Sequence, residues 1–277
     1  DTGQAVERGL RHLVETQRAD GGWDDAYWNG TGFPRVFYLK YHLYAHYLPL
    51  CALGEWDRSL GYCGRALQHG ESANDLRLKV VAWSRMAASQ VQRGDAKAAL
   101  GSCDAATKLG PTPFDDANLN AVRGYALVKI GDFESGLPLL HDAVKWFAGT
   151  HVLYNRSTCS VWLADSLVRS GNREGGREVA TAVLATSESV GYRYVQGVAC
   201  RVLGESLTPD DTGAGAAHLQ TAHGIFEHIN ARNDLANTHV AQAAVHASLA
   251  EFDRARLLLD EAGRMFEVLG TTDEPDR

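Results

Sequence analysis

Three acidic pairs, Asp24-Asp25, Asp115-Asp116 and Asp210-Asp211, are the first places to look for proton transfer or metal chemistry in this chain. A carboxyl that works as an acid needs a neighbour or a dry pocket to tune it. None of these pairs has a further carboxylate in a D-x-D-D or D-D-x-x-D arrangement. Asp115-Asp116 and Asp210-Asp211 follow prolines and read as helix starts, where a carboxylate meets unpaired backbone N–H groups. His42 and His46 are four apart and could share one metal, but no third ligand is evident, so no metal is expected. None of the six lysines precedes Ser or Thr, which removes a phosphate-cradling loop, and no Ser or Cys sits in a nucleophile elbow. No catalytic residue and no cofactor are therefore assigned. An aromatic series remains: Phe33, Phe37, Tyr41 and Tyr44, spaced by four, four and three. On a helix beginning near Pro34 these rings fall along one face.

Composition narrows the setting. The chain has 277 residues, 45% of them apolar, and a net charge of −7. Residues 1–53 carry five Lys/Arg and six Asp/Glu, and the remainder carries 22 and 28. Neither part is basic, so nucleic acid is not expected as a partner. The five cysteines are isolated and odd in number, which fits a reduced cytoplasmic compartment. No run of 18 apolar residues is present, so no spanning helix is expected. The chain opens on Asp1 rather than Met, which suggests a piece of a longer polypeptide, a processed start or a chosen boundary.

The elements that must position any site come from a recurring signature. Gly54-Glu55-Trp56-Asp57, Gly94-Asp95-Ala96, Gly131-Asp132-Phe133, Gly171-Asn172-Arg173 and Ala250-Glu251-Phe252 open successive copies, with a degenerate copy near Asp211. A repeat of that size signals a solenoid of helix pairs. Glycine closes one helix in the left-handed conformation, and the next residue offers an acceptor or a negative charge to the following helix start. The pattern predicts helices near 72–93, 95–108, 114–130, 132–147, 151–170, 172–188, 192–206, 212–228, 232–249 and 251–269. In the last of these, Phe252, Ala255, Leu258, Leu259, Ala262, Met265, Phe266 and Leu269 trace one apolar face. Trp56, Trp83, Trp146 and Trp162 are expected between repeats, with one or two available to a concave groove. His218, His223, His228, His239 and His246 are expected on exposed faces. No strand alternation stands out, so the fold class is all-α.

Two resemblances follow from these residues. Residues 54–277 resemble the tetratricopeptide family in a longer-period form, and Ala231–Ala236 and Ala255–Ala262 are similar to helical tails of bacterial regulators that follow an ATPase or a nucleotidyl cyclase domain. Residues 1–54 resemble the C-terminal end of the squalene–hopene and oxidosqualene cyclases, the class II triterpene cyclases. Gln17, Gly22 and Trp23 match that family's QW motif, and the family role this implies is structural, tying outer helices together. The run from Gly30 to Tyr44 matches the segment that supplies rings to the cyclase cavity. The resemblance implies that Phe33, Phe37, Tyr41 and Tyr44 line a substrate cavity, stabilising carbocations and excluding water. It also implies an acid cluster of the D-x-D-D type, which this chain lacks.

The expected architecture is thus a helical-hairpin solenoid of about six pairs over 54–277, preceded by a cyclase-derived, α/α-toroid-type helical segment over 1–54. Three functions fit. The first is a protein- or peptide-binding scaffold with a non-catalytic cyclase end piece. The second is the tail of a longer cyclase acting on a polyprenyl or triterpene substrate. The third is the sensor region of an ATPase- or nucleotidyl-cyclase-type signalling protein. Lys40, His42 and His46 interrupt the aromatic segment 33–53, so membrane contact is only weakly indicated and the chain is expected in the cytoplasm, peripheral to a membrane at most. No Gly/Ser/Pro linker separates the two parts, and a helix over 36–53 is expected to pack on 57–67 and cap the solenoid. Deleting residues 1–50 should therefore lower the thermal midpoint of the array, and an unchanged midpoint would dismiss the cap.

Overall fold

A computed structural model describes Glu15, Gly30–Gly32, Phe37–Leu39, 55–150 and 152–272. From residue 56 onward the chain is an uninterrupted series of helices: α1 (Trp56–Ser72), α2 (Leu76–Arg93), α3 (Ala96–Thr107), α4 (Pro113–Lys129), α5 (Phe133–Ala148) and α6 (Leu153–Arg169). The series continues as α7 (Arg173–Val190), α8 (Arg193–Leu207), α9 (Thr212–His228), α10 (Arg232–Ser248) and α11 (Phe252–Leu269). Each helix packs on the next, and α2, α4, α6, α8 and α10 also pack in succession on one another. That second set of contacts is what winds stacked hairpins into a superhelix with an inner and an outer row.

The joints are built as the repeated signature requires. Gly94 (φ 97°), Gly131 (φ 86°) and Gly171 (φ 90°) take the left-handed turn. The side chains of Asp95, Asp132 and Asn172 then accept from the backbone N–H of Ala98, Ser135 and Gly175. At the last joint Ala250 holds the same conformation (φ 60°), at a steric cost that glycine avoids. Asp115 and Asp116 lie in the first turn of α4 behind the Thr112 cap and Pro113, and Asp211 caps α9. Both pairs are helix starts.

Close helix contact comes from missing side chains. A Cβ on Gly124 of α4 would stand 2.7 Å from the Gly136 carbonyl oxygen of α5, and one on Gly136 would stand 2.6 Å from the Gly124 oxygen. Around such contacts a continuous core runs from Ala87 to Ala231, with Phe147, Phe226, Leu119 and Leu140 fully enclosed.

Two expectations need correction. Residues 37–39 do not belong to a helix: Phe37–Leu39 pairs antiparallel with Gly30–Gly32, Phe37 facing Gly32 and Leu39 facing Gly30. The aromatic pair Phe37-Tyr38 suits an extended ribbon, and the preceding Gly-Thr-Gly provides its partner. Along α11, Ala255, Ala262 and Phe266 are buried, but Phe252 is 68% and Leu259 47% exposed. The packing partner of α11 is α10, and among the described residues no further hairpin covers its other flank.

The array returns on itself. Arg93, closing α2, donates from Nε to the Gly270 carbonyl at 2.9 Å and pairs through Nη1 with Asp57. Thr272 donates its N–H to the Arg93 carbonyl at 2.8 Å, Thr271 bonds Asn233, and Asn233 reaches the Gln92 carbonyl. The exit of α11 and the start of α10 are thereby fastened to the end of α2.

Candidate functional site: the concave groove

The inner row of helices encloses a groove of about 350 Å³, within the range of about 300–1,000 Å³ typical of ligand pockets. Its wall is assembled in order along the chain. Arg85 and Gln92 come from α2, Asn118, Tyr125 and Lys129 from α4, and Tyr154, Asn155 and Trp162 from α6. Tyr194 and Arg201 come from α8, and Arg232, Asp234 and Asn237 from α10. Trp56 of α1 joins at one side. Amides, aromatic rings and cations alternate because each inner helix turns a similar stripe of residues inward.

Behind the wall is a buried carboxylate. Asp165 is 1% exposed and accepts from Tyr125 Oη at 2.9 Å, Arg169 Nε at 2.8 Å and Arg201 Nη2 at 3.1 Å. Arg201 is itself 6% exposed and also pairs with Glu205 through Nη1 at 2.5 Å. Burial alone would raise the Asp165 carboxyl, but the neighbouring Arg169, Arg201 and Lys129 outweigh it and hold it well below the usual range. Burial pushes the Tyr125 hydroxyl up, and the charge of Asp165 adds to that, so Tyr125 stays a donor. Its ring stacks on Trp162, centroids 5.2 Å apart and 6° from parallel, while Lys129 Nζ stands 5.8 Å from it.

Other groups at the groove are tuned by the same dryness. Burial lowers the Lys129 ammonium to about 8, helped by repulsion from Arg169. Burial lifts the Asp234 carboxyl to about 6 despite Arg201, Lys129 and a hydrogen bond from Tyr194. Burial also pushes the Cys159 thiol up to about 12, which makes it an apolar wall residue rather than a nucleophile. Asn155 Nδ2 donates to Asn118 Oδ1 at 2.7 Å, linking α6 to α4 across the floor. Two donors at this groove, Trp56 Nε1 and Arg201 Nε, are buried with no acceptor among the described residues.

Of the residues singled out by sequence, Trp56 and Trp162 line the groove, whereas Trp146 is 36% exposed against Phe114 and Phe147. Phe37 lies in the ribbon; Phe33, Tyr41, Tyr44, Gln17, Gly22 and Trp23 lie outside the described residues, as do His42, His46 and the part of the expected helix 36–53 that follows residue 39. His239 is 4% exposed and stacks on His223 at 5.2 Å, so it is not a surface histidine. Among the described residues no group of three or more His, Cys, Asp or Glu is placed to hold a metal, and no helix is long and apolar enough to cross a membrane. Asp165 and Arg201 escaped the sequence reading because nothing local marks residues 36 positions apart as partners.

Comparison with known proteins finds two kinds of likeness. The family model for the squalene-hopene cyclase C-terminal domain matches residues 1–58. The squalene–hopene cyclase of Alicyclobacillus acidocaldarius is 53% identical over 57 residues, 21% of this chain and 9% of that protein. The enzyme of Bradyrhizobium diazoefficiens is 50% identical over 52 residues, 19% and 8% of the two chains. The chain spans about a tenth of the length of the curated relatives it matches. By structure the chain is similar to helical repeat proteins. A Rap protein complexed with competence and sporulation factor aligns with TM-score 0.67 at 12% identity over 95% of this chain and 72% of the other. NprR in complex with its cognate peptide NprX aligns at 0.63 and 14% over 96% and 76%. Bacillus thuringiensis PlcR, solved with the peptide PapR7 and DNA, aligns at 0.60 and 14% over 98% and 95%. These likenesses establish the tetratricopeptide-like helical fold.

Removing one partner of a buried ion pair leaves the other uncompensated, a loss of about 3–5 kcal/mol. Asp165→Ala should therefore lower the free energy of unfolding by about that much at pH 7 in urea melts. Because the native carboxyl is depressed, its contribution is present above the unfolded value and lost as pH falls below it. The gap between wild type and variant should accordingly shrink below about pH 4.

Proposed function

We propose that the chain is a peptide-binding scaffold, in which a repeat domain over 54–277 takes a segment of a partner protein into its concave groove. In this reading the segment over 1–54 is a non-catalytic cyclase end piece carried by the scaffold. The observation that supports it most is the lining itself. Asn118, Asn155 and Asn237 present amides, which can meet both the N–H and the C=O of an extended backbone, beside the rings of Tyr154, Trp162 and Tyr194. The peptides recorded with NprR and PlcR lend the same reading support by likeness of fold.

The test is affinity selection of a random nonapeptide library on the immobilised 277-residue chain. Retained peptides should bind Asn118→Ala/Asn155→Ala about tenfold more weakly, the loss of roughly one net hydrogen bond or two. Peptides that bind wild type and variant alike would place recognition elsewhere, and an empty selection would refute peptide binding.

A second reading rests on the 53% identity of the N-terminal segment to a squalene–hopene cyclase. Here residues 1–54 close the cavity of a longer cyclase, with Phe33, Phe37, Tyr41 and Tyr44 as its lining and a polyprenyl or triterpene substrate. Exchanging this segment into the Alicyclobacillus enzyme should preserve squalene cyclisation. Leucine at all four positions of the chimera should then cut turnover at least about tenfold, since each ring contributes about 0.5–2 kcal/mol to a desolvated cation. Turnover indifferent to the leucines would reject the cavity role.

A further inference from the structure

The joints in the groove wall are not alike. From α2 through α4, α6 and α8 to α10, each inner helix packs on the next. The joint that brings α10 and the exit of α11 back to α2 lacks such helix packing. Its bonds are polar. Arg93 donates from Nε to the Gly270 carbonyl at 2.9 Å, and the Arg93 carbonyl accepts from the Thr272 N–H at 2.8 Å and from Thr272 Oγ1 at 3.4 Å. Asn233 Nδ2 reaches the Gln92 carbonyl at 3.4 Å, and Thr271 Oγ1 steadies it by donating to Asn233 Oδ1 at 2.8 Å. The side-chain bonds of Arg93 and Thr272 are open to solvent. Water replaces bonds of this kind at little net cost, whereas parting two packed helices wets apolar surface.

Two further observations give this seam a role. It lies on the groove, since Gln92 and Asn233 both line it, with Val91 and Arg232 beside them. The last hairpin is also a body of its own. Ala236, Ala262 and Phe266 form a small core between α10 and α11, separate from the continuous core that ends at Ala231. The hairpin meets α9 through another small cluster, Leu219 with Ala241 and Val245. We infer that the seam is the gate of the groove: α10 and α11 part together from the end of α2, open the wall between Gln92 and Asn233, and close again. The gate belongs to the chain whatever the groove holds, so its test needs no peptide.

The full chain carries its own reporters. Cys159 lines the groove and is buried, while Cys103 is enclosed in the core away from it. Burial raises both thiols, Cys159 to about 12 and Cys103 to about 11, so each waits on an opening of its surroundings to react. The experiment is modification by N-ethylmaleimide, followed cysteine by cysteine by mass spectrometry. Arg93→Ala removes the side-chain half of the tie without touching the groove wall. Thr272→Pro removes both donors to the Arg93 carbonyl from a position beyond the last helix, where it cannot unfold the array. In each variant Cys159 should react about tenfold faster than in wild type, as the open population grows by the loss of one or two hydrogen bonds, while Cys103 keeps its rate. A Cys159 rate unchanged in both variants would overturn the gate. So would equal acceleration of Cys103, which would mean that the whole array had loosened.

Discussion

A carboxylate that water hardly reaches governs this structure. Asp165, on α6, is claimed by Tyr125 of α4, by Arg169 one turn along its own helix, and by Arg201 of α8. An ion pair so buried gains little net stability against an apolar alternative, but it tolerates no misregister, because any slip strands a charge. The inner row is therefore held at one spacing and one rotation. The Tyr125 ring lies flat on Trp162 while its hydroxyl is anchored to Asp165. Core and groove wall share the same side chains.

Much of the solenoid was legible in sequence because its joints are local. A left-handed residue followed by an acceptor is a chemical event within five residues, and Gly94-Asp95, Gly131-Asp132 and Gly171-Asn172 each carry it whole. What escaped is long-range. The links of Asp165 cross two helical hairpins, and the contact of Arg93 with Gly270 spans 177 positions. The exposure of Phe252 escaped for the opposite reason: an apolar period reports what a helix is able to bury, and whether a neighbour arrives to bury it is not written in the helix. The ribbon of Gly30–Gly32 with Phe37–Leu39 was missed because aromatic residues four apart also fit a helix face.

Within the groove, the tryptophans were visible as candidates and the cations were not. Trp56 and Trp162 stand out by rarity in any sequence, whereas Arg85, Lys129, Arg201 and Arg232 are ordinary residues whose convergence needs the superhelix. The cyclase-like segment is the reverse case. Its motifs are specific to a family over 58 residues, and its matched relatives are about ten times longer than the match.

The fastening of Arg93 to Gly270 and Thr272 changes how such an array comes apart. A linear stack of repeats melts from its tips inward, because each end unit has a single neighbour to hold it. Here the last hairpin is tied to α2, so neither tip is free to fray while the tie holds. Loss of this small set of contacts converts a hoop into a strip, and local opening would then spread from two new ends at once.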